Sequence, residues 1–432
     1  MYMDTVSSLS AIRTACIGLG YRGKQLFGLL RQIPFFRVVA VADPCLEAKD
    51  VPVGIACYGQ GPDDYRRMLD EQRPQLVVVA SPWAFHVPHA LDCLRAGCHV
   101  ALEIKGGLAV GEYAPLSELV RQTGLRLFPL ENTLFRRDIL AVHTMVQAGV
   151  LGEIVHMQGG YRHDLRDLLL DDEGHLGNRR NTESVWRARF YQEGNGDVYP
   201  THGLAPLCLI GGINRTDRML RLTSFASKPA GLRHRIRELG GDDRVRVTLG
   251  DVVITQLETE HGVLVTLTHD TTLPRPRSLD FEVQGTKGLW QGDTHRIYVE
   301  GPDKAERWED DAPWLVRYEH PYWTRWGREA LEADRHHEGM DYVMLKAVEE
   351  DLAGGLSYPA TVDDLALWTA VTPLSGRSIA GRCTVDFLHG IGLVEDGLDV
   401  AVQRAEAFDV HQRAQGFGRV HQAAQGEVVH VH

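Results

Sequence analysis

The chain changes its hydrophobic rhythm about a third of the way along, and that change predicts its organisation. In the first third, short unbroken apolar runs alternate with stretches whose apolar positions recur at helical spacing. Thr14-Ala-Cys-Ile-Gly18 and Arg37-Val-Val-Ala-Val-Ala-Asp43 are two such runs, with a helical pattern around Gln25-Leu-Phe-Gly-Leu-Leu30 between them. Gln75-Leu-Val-Val-Val-Ala80, a helix from about Val87 to Ala96, and Gly97-Cys-His-Val-Ala-Leu-Glu103 repeat the pattern. A further helix from Tyr113 to Thr123 leads into Leu125-Arg-Leu-Phe-Pro-Leu-Glu-Asn132. Strands that are apolar without alternation are buried on both faces, and helices between them supply the cover. The prediction is therefore α/β, a doubly wound parallel sheet of the Rossmann kind.

From about Arg136 the texture differs. A helix over Asp138–Ala148 runs through Gly149 and Gly152 into a strand over Ile154–Tyr161. Val252-Val-Ile-Thr-Gln-Leu-Glu258 and Val263-Leu-Val-Thr-Leu-Thr-His269 alternate with period two. Such alternation predicts an open-faced, mainly antiparallel sheet with one side covered. Asp167–Arg180 and residues 230–247 read as polar surface connections, and helices return at Arg328–Leu352 and Val362–Thr372. Three units are expected: a Rossmann domain over 1–135, an α+β domain over 136–392, and a mobile tail over 393–432.

Composition narrows the function. A chain of 432 residues exceeds what one core usually organises, in keeping with two domains. A net charge of −12 argues against nucleic-acid or anionic-membrane partners, leaving a small molecule as the expected one. No apolar run approaches the roughly 18–20 residues a membrane span needs. The opening Met1-Tyr-Met-Asp-Thr-Val-Ser-Ser-Leu-Ser10 lacks a basic and apolar leader, and the seven cysteines form no Cys-x-x-Cys pair. A cytoplasmic protein with free thiols is expected. No His-Glu-x-x-His or Cys/His cluster is present, so no metal is expected.

Two stretches carry chemistry. Gly18-Leu-Gly20-Tyr21-Arg22-Gly23 lies between the first strand and helix, where glycines permit a tight turn, close approach of backbone to a pyrophosphate and close helix–strand packing. Asp43 closes the second strand 20 residues after Gly23, where a carboxylate takes ribose hydroxyls and repels a 2′-phosphate, so NAD is favoured over NADP. Ser81, Trp83, Glu103, Glu131 and Asn132 fall at the carboxyl ends of later strands, where such sheets bind ligands. The second stretch is Asn195-Gly-Asp-Val-Tyr199-Pro-Thr-His202-Gly-Leu-Ala-Pro206. A phenol and an imidazole three residues apart suit one face of a helical turn and can trade protons with a sugar hydroxyl or a carbon acid. Glu131 and Asp164 are the pair available to a glycosidase working by two carboxylates.

These features, with Gly160-Tyr161-Arg-His163-Asp164-Leu-Arg166, Trp186-Arg187, Ile213-Asn-Arg-Thr-Asp217, His269-Asp-Thr-Thr-Leu-Pro-Arg-Pro276, Gln284-Gly-Thr-Lys-Gly288 and Gly339-Met-Asp341, resemble a family. The chain looks like the NAD-dependent glycosidases of glycoside hydrolase family 109, the α-N-acetylgalactosaminidases, within the glucose-fructose oxidoreductase and inositol dehydrogenase superfamily. The superfamily's sugar dehydrogenases carry Glu-Lys-Pro where this chain reads Glu103-Ile104-Lys105-Gly106, which displaces the lysine by one residue. The resemblance implies oxidation of the sugar at C3, loss of the C2 proton, departure of the C1 group, addition of water and re-reduction. It implies His202 at the C3 hydroxyl and Tyr161 as base at C2, a role that asks for a lowered phenol pKa, which a cation such as Arg187 or the bound NAD⁺ would supply. Glu131, His163, Arg187 and Tyr199 are implied to hold the sugar. Gly18, Gly20, Tyr21, Arg22, Gly23, Asp43, Ser81, Trp83, His86, Glu103 and Asn132 are implied to hold NAD. A homo-oligomer built through the open sheet is expected, and a sugar or cyclitol dehydrogenase is the alternative.

Overall fold

The computed structural model describes residues 11–46, 51–177, 182–301 and 307–387. The expected tail over 393–432 lies outside the described residues.

The first third builds β1 (Ile12–Ile17), α1 (Tyr21–Leu30), β2 (Phe36–Ala42), β3 (Ala56–Tyr58), α2 (Asp64–Gln72), β4 (Leu76–Val79), α3 (His86–Arg95), β5 (His99–Glu103), α4 (Ala114–Thr123) and β6 (Leu127–Leu130). The strands lie in the order β3-β2-β1-β4-β5-β6, all parallel. Order reverses beside β1, so a crevice opens at the carboxyl ends of β1 and β4. Leu76, Val77, Val78 and Val79 are all buried, because helices cover both faces of the sheet. In α1 the buried Leu26, Phe27 and Leu30 share one face.

The remainder comprises α5 (Arg137–Gln147), β7 (Ile154–Arg162), α6 (Arg166–Leu169), α7 (Thr182–Glu193), α8 (Thr201–Gly211), β8 (Met219–Ala226), α9 (Gly231–Glu238), β9 (Val252–Thr259) and β10 (Leu264–Asp270). After these come β11 (Glu282–Gly285), β12 (Gly288–Gln291), β13 (Arg296–Val299), β14 (Glu309–Asp310), α10 (Ala312–Arg317), α11 (Pro321–Ala333), α12 (Met340–Leu352), α13 (Val362–Gly381) and β15 (Val385–Asp386). Their sheet runs β14-β13-β12-β11-β7-β10-β9-β8-β15, and every pairing is antiparallel except β7 with β10. Inward positions such as Met157, Val253, Val265 and Leu267 are fully buried, while Phe225, Ile254 and Leu264 stand exposed on the other face. The period-two pattern is thus realised with one face open.

Helices α8 and α13 cover the closed face. A capping box between Thr361 and Asp364 starts α13. The register of α8 on β7 depends on glycine: a Cβ on Gly203 would stand 2.5 Å from the Gly160 nitrogen. That close approach presses the first turn of α8 against the strand carrying Tyr161.

Several elements depart from the periodic reading. Asp167–Arg180 is not simply a surface loop, because α6 buries Leu169 and Leu170 bridges Leu176; residues 178–181 lie outside the described residues. The charged stretch over 230–247 contains α9, whose Leu232 and Ile236 are buried beneath its arginines. The helix expected over Arg328–Leu352 is two, α11 and α12, separated where Glu338 and Gly339 take positive φ of 52° and 85°. Among the described residues no helix is long and apolar enough to cross a membrane.

Candidate active site

The carboxyl ends of β4, β5 and β6 meet the carboxyl end of β7 and the first turn of α8 at the seam between the two sheets. Nucleotide-side geometry follows the glycines. Gly18 takes φ of +90°, and a Cβ there would lie 2.7 Å from the Ala80 carbonyl carbon. One on Gly23 would lie 2.1 Å from the Gly18 oxygen, whereas one on Gly20 meets nothing within 4 Å. The first and third glycines therefore serve packing, and the second leaves the backbone open for a phosphate to approach the N-terminus of α1. Asp43 accepts hydrogen bonds from the Leu19 and Cys45 amides (2.7 and 2.8 Å), which fixes its carboxylate beside the turn. Glu103 Oε2 and Asn132 Oδ1 are buried without a partner. An orphaned buried acceptor is costly unless a ligand's hydroxyl or amide completes it, so these atoms fit a dinucleotide lying along the strand ends.

Other nucleotide-side residues are placed differently from a simple contact list. Arg22 turns away from the turn and pairs with Asp341 at the start of α12 (2.8 and 3.1 Å), with Glu103 3.4 Å away. Asn132 donates to the same Asp341 (2.9 Å). Asp334, His337 and Asp341 draw close enough to share a cation, but Asp341 and His337 already face the Arg22 guanidinium. Ser81 is held by His86 and His89 (2.7 and 3.0 Å), and burial lowers the His86 imidazole to about 4. Tyr21 is 60% exposed.

Trp83 is buried, with Trp186, Phe190 and Tyr199 rings 4.7, 5.2 and 5.5 Å away. Two cations, Lys105 Nζ and Arg187, each lie 5.0 Å from its ring centre. Lys105 is fully buried and donates to the Gly106 and Gly107 carbonyls (3.2 and 3.4 Å). Burial outweighs the attraction of Glu112 and Asp197 and brings its amine down to about 7.

On the side of the second sheet, Tyr161, Tyr199 and His202 form one aromatic cluster: centroid separations are 4.6 Å between the phenols and 5.5 and 4.9 Å from them to the imidazole. Tyr199 precedes α8 rather than sharing its helical turn, so Pro200 and the α8 start, not i,i+3 spacing, bring it to His202. The Tyr161 hydroxyl lies 3.5 Å from His163 Nδ1. His202 Nδ1 lies 2.7 Å from Glu131 Oε1, and that oxygen also accepts from the Thr133 amide and hydroxyl (3.1 and 2.6 Å). Glu131 is fully buried. Burial alone would raise its carboxyl, but His202 and Thr133 overcome that and hold it below its usual range; burial holds the His202 imidazole low. A carboxylate beside a neutral ring fixes the proton on Nδ1 and leaves Nε2 as an acceptor. Glu131 thus orients His202 instead of standing free for a sugar hydroxyl. The carboxylate pair considered from sequence is not supported, since Asp164 is engaged with Arg166 at 2.7 Å.

One expectation about charge needs correction. Burial raises the Tyr161 phenol, and Arg187 offsets this only in part. Burial is the largest effect, and the negative charge of Glu183, paired with Arg187 at 2.5 Å, also raises the phenol. Its guanidinium packs against Trp83, Trp186 and Tyr199, which makes it a wall of the site as much as a binding group.

Known families match the two halves of the chain separately. The description "Glycosyl hydrolase 109, C-terminal domain" matches residues 135–390, and "Oxidoreductase family, NAD-binding Rossmann fold" matches 12–129. A glycosyl hydrolase family 109 protein of Stenotrophomonas maltophilia is 36% identical over 85% of this chain and 86% of its own length. An alpha-N-acetylgalactosaminidase of Tannerella forsythia is 37% identical over 76% of this chain and 74% of its own. An NAD binding oxidoreductase from Klebsiella pneumoniae shares the fold, with TM-score 0.67 at 15% identity over 90% of this chain and all of its own.

Proposed function

This chain belongs to the glycosyl hydrolase 109 family, and we propose that it works as an NAD-dependent glycosidase that cleaves a hexoside, such as an α-N-acetylgalactosaminide, through transient oxidation at C3. The observation that carries the reading is the Glu131–His202 pair at 2.7 Å, set against the Tyr161 ring. NAD, when bound, supplies the acceptor and later the donor of a hydride. Gly18, Gly20, Gly23, Asp43, Glu103 and Asn132 are the groups that would hold it. His202 Nε2 takes the C3 hydroxyl proton, and Glu131 stabilises the imidazolium so formed. Once C3 is a ketone the C2 proton is acidic; Tyr161 removes it, and the C1 group leaves. Water then adds, its hydroxyl to C1 and its other proton to the departed oxygen; Tyr161 returns a proton to C2, and His202 returns one to the C3 oxygen as C3 is reduced again. His163, Tyr199 and Arg187 position the ring. In the same proposal, a second copy covers the open sheet face bearing Phe225, Ile254 and Leu264.

The test is turnover of a p-nitrophenyl N-acetylgalactosaminide by protein stripped of and then resupplied with NAD⁺, run in D₂O. The reading predicts dependence on NAD⁺, no net NADH, and deuterium at C2 of the released sugar. Full retention of the C2 proton, together with no isotope effect from deuterium placed at C2 or C3 of the substrate, would sink it, and net NADH would mark a dehydrogenase.

A further inference from the structure

The arginines around the mouth of the sugar site are nearly all matched to a carboxylate. Arg162 meets Asp280 at 2.5 Å, Arg166 meets Asp164 at 2.7 Å, Arg187 meets Glu183 at 2.5 Å and Arg275 meets Asp270 at 2.8 Å. Asp293, close to the same loop, accepts from the Ser278 hydroxyl. Arg277 differs: it is exposed, and it donates no hydrogen bond and forms no ion pair with any described residue.

Its place is set by backbone pairing. Arg162 and Ser278 exchange both their backbone hydrogen bonds (3.1 and 2.8 Å) in an antiparallel bridge. Arg277 directly precedes Ser278, so the antiparallel direction of that isolated bridge sets it opposite His163. Alternation puts both on the face that also carries Tyr161, opposite to Arg162, with Cβ atoms of such neighbours roughly 4.5–5.5 Å apart. Its charge accordingly reaches the site: burial lowers the His163 and His202 imidazoles and Arg277 adds to this, while burial raises the Tyr161 phenol and Arg277 opposes it. For His202 that field is adverse, since it opposes the positive charge the ring must accept from the sugar hydroxyl. An unmatched cation here, on a chain of net charge −12, makes chemical sense when the substrate brings the missing anion.

We propose that Arg277 recognises an anionic group on the substrate, so that the preferred glycoside carries a carboxylate or sulfate on the sugar held by Tyr161 and His163 or on the group linked to it. The proposal rests on the glycosidase reading only for the word glycoside; recognition of the anion does not require turnover.

The experiment therefore has a binding arm and a turnover arm, both on the NAD-loaded protein. Calorimetric titration compares galacturonate and galactose 6-sulfate with galactose. Rates compare p-nitrophenyl galactosides and N-acetylgalactosaminides with their uronide and 6-sulfate counterparts, and with neutral sugars linked to a carboxylated aryl group. The expected result is a preference for the charged member, weakening as salt rises from about 50 to about 300 mM. In R277Q the charged-to-neutral ratio should fall roughly 10- to 100-fold, the worth of a charge-assisted hydrogen bond. R277K should restore part of it, and NAD⁺ affinity should not change in step. Which pair shows the effect separates a charged sugar from a charged leaving group. Equal affinity for charged and neutral sugars, equal losses on both in R277Q, or a parallel loss of NAD⁺ affinity would overturn the proposal. A charge preference in binding without cleavage of any glycoside would leave Arg277 standing and remove the glycosidase reading. Cleavage without a charge preference would do the reverse.

Discussion

Replacing Glu131 by glutamine tests whether the buried carboxylate acts through charge or only through shape. Its Oε1 accepts from the Thr133 amide at 3.1 Å, from the Thr133 hydroxyl at 2.6 Å and from His202 Nδ1 at 2.7 Å. A backbone N–H is a donor only, so in Glu131→Gln the new amide oxygen must take that position and the NH₂ must take the place of Oε2. The imidazole then keeps its proton on Nδ1, and no tautomer switch disables Nε2. What disappears is the negative charge under the imidazolium. At about 4 Å and an effective dielectric constant near 20, one such charge pair is worth about 4 kcal/mol. The neutral hydrogen bond retains part of the stabilisation, so a kcat loss of about 10²–10³ is expected rather than the ~10⁴ seen when a tautomer is inverted. The carboxylate raises the His202 pKa against burial, so its removal should move the acid limb of kcat/KM to lower pH. The NH₂ enters a buried spot where Oε2 has no partner, which should cost about 1–3 kcal/mol of stability. Initial rates across the acid range, with calorimetric melting of the same samples, measure all three effects. Activity within about threefold of wild type and an unmoved acid limb would refute the orienting and charge-stabilising role.

Tyr161→Phe should lower kcat by about 10²–10⁴ while NAD⁺ content stays near wild type, and the residual product formed in D₂O should still carry deuterium at C2, because each turnover still breaks that bond. Because burial raises the Tyr161 phenol, its base form grows with pH, so wild-type kcat/KM should climb on the alkaline side; a fall there would point to an acid role for the phenol. Wild-type activity should also persist on the acid side of 6.5, since His202 must be neutral to accept a proton and its pKa lies below that value. Gly203→Ala puts a Cβ 2.5 Å from the Gly160 nitrogen, so α8 must move off β7; about 1–3 kcal/mol of stability and most activity should go, and a fully active variant would show that the contact does not set the site. Protein denatured after purification should release NAD(H), and binding titrations should favour NAD⁺ over NADP⁺; a preference for NADP⁺ would contradict the reading of Asp43.

What could be read along the chain was whatever depends on near neighbours. Unbroken and alternating apolar runs distinguish a sheet covered on both sides from one with an open face, because strand periodicity is a property of a few consecutive residues. The glycine turn and Asp43 are legible for the same reason: their geometry is local, and Gly18 and Gly23 sit in the close packing their spacing suggests while space stays open at Gly20. The Tyr199 and His202 pair was visible as a motif, although not as the helical turn its spacing suggested. Tertiary structure decided the rest. Glu131 meets His202 across 71 residues and Arg22 meets Asp341 across 319, and nothing in either segment names its partner. Arg277 reaches the site only because a bridge aligns it with His163, a matter of register between distant strands. The charge state of Tyr161 is a sum over all that surrounds it, in which burial outweighs the one arginine a motif could suggest. Desolvation and charge pairing act through space, so they appear only when the chain has folded.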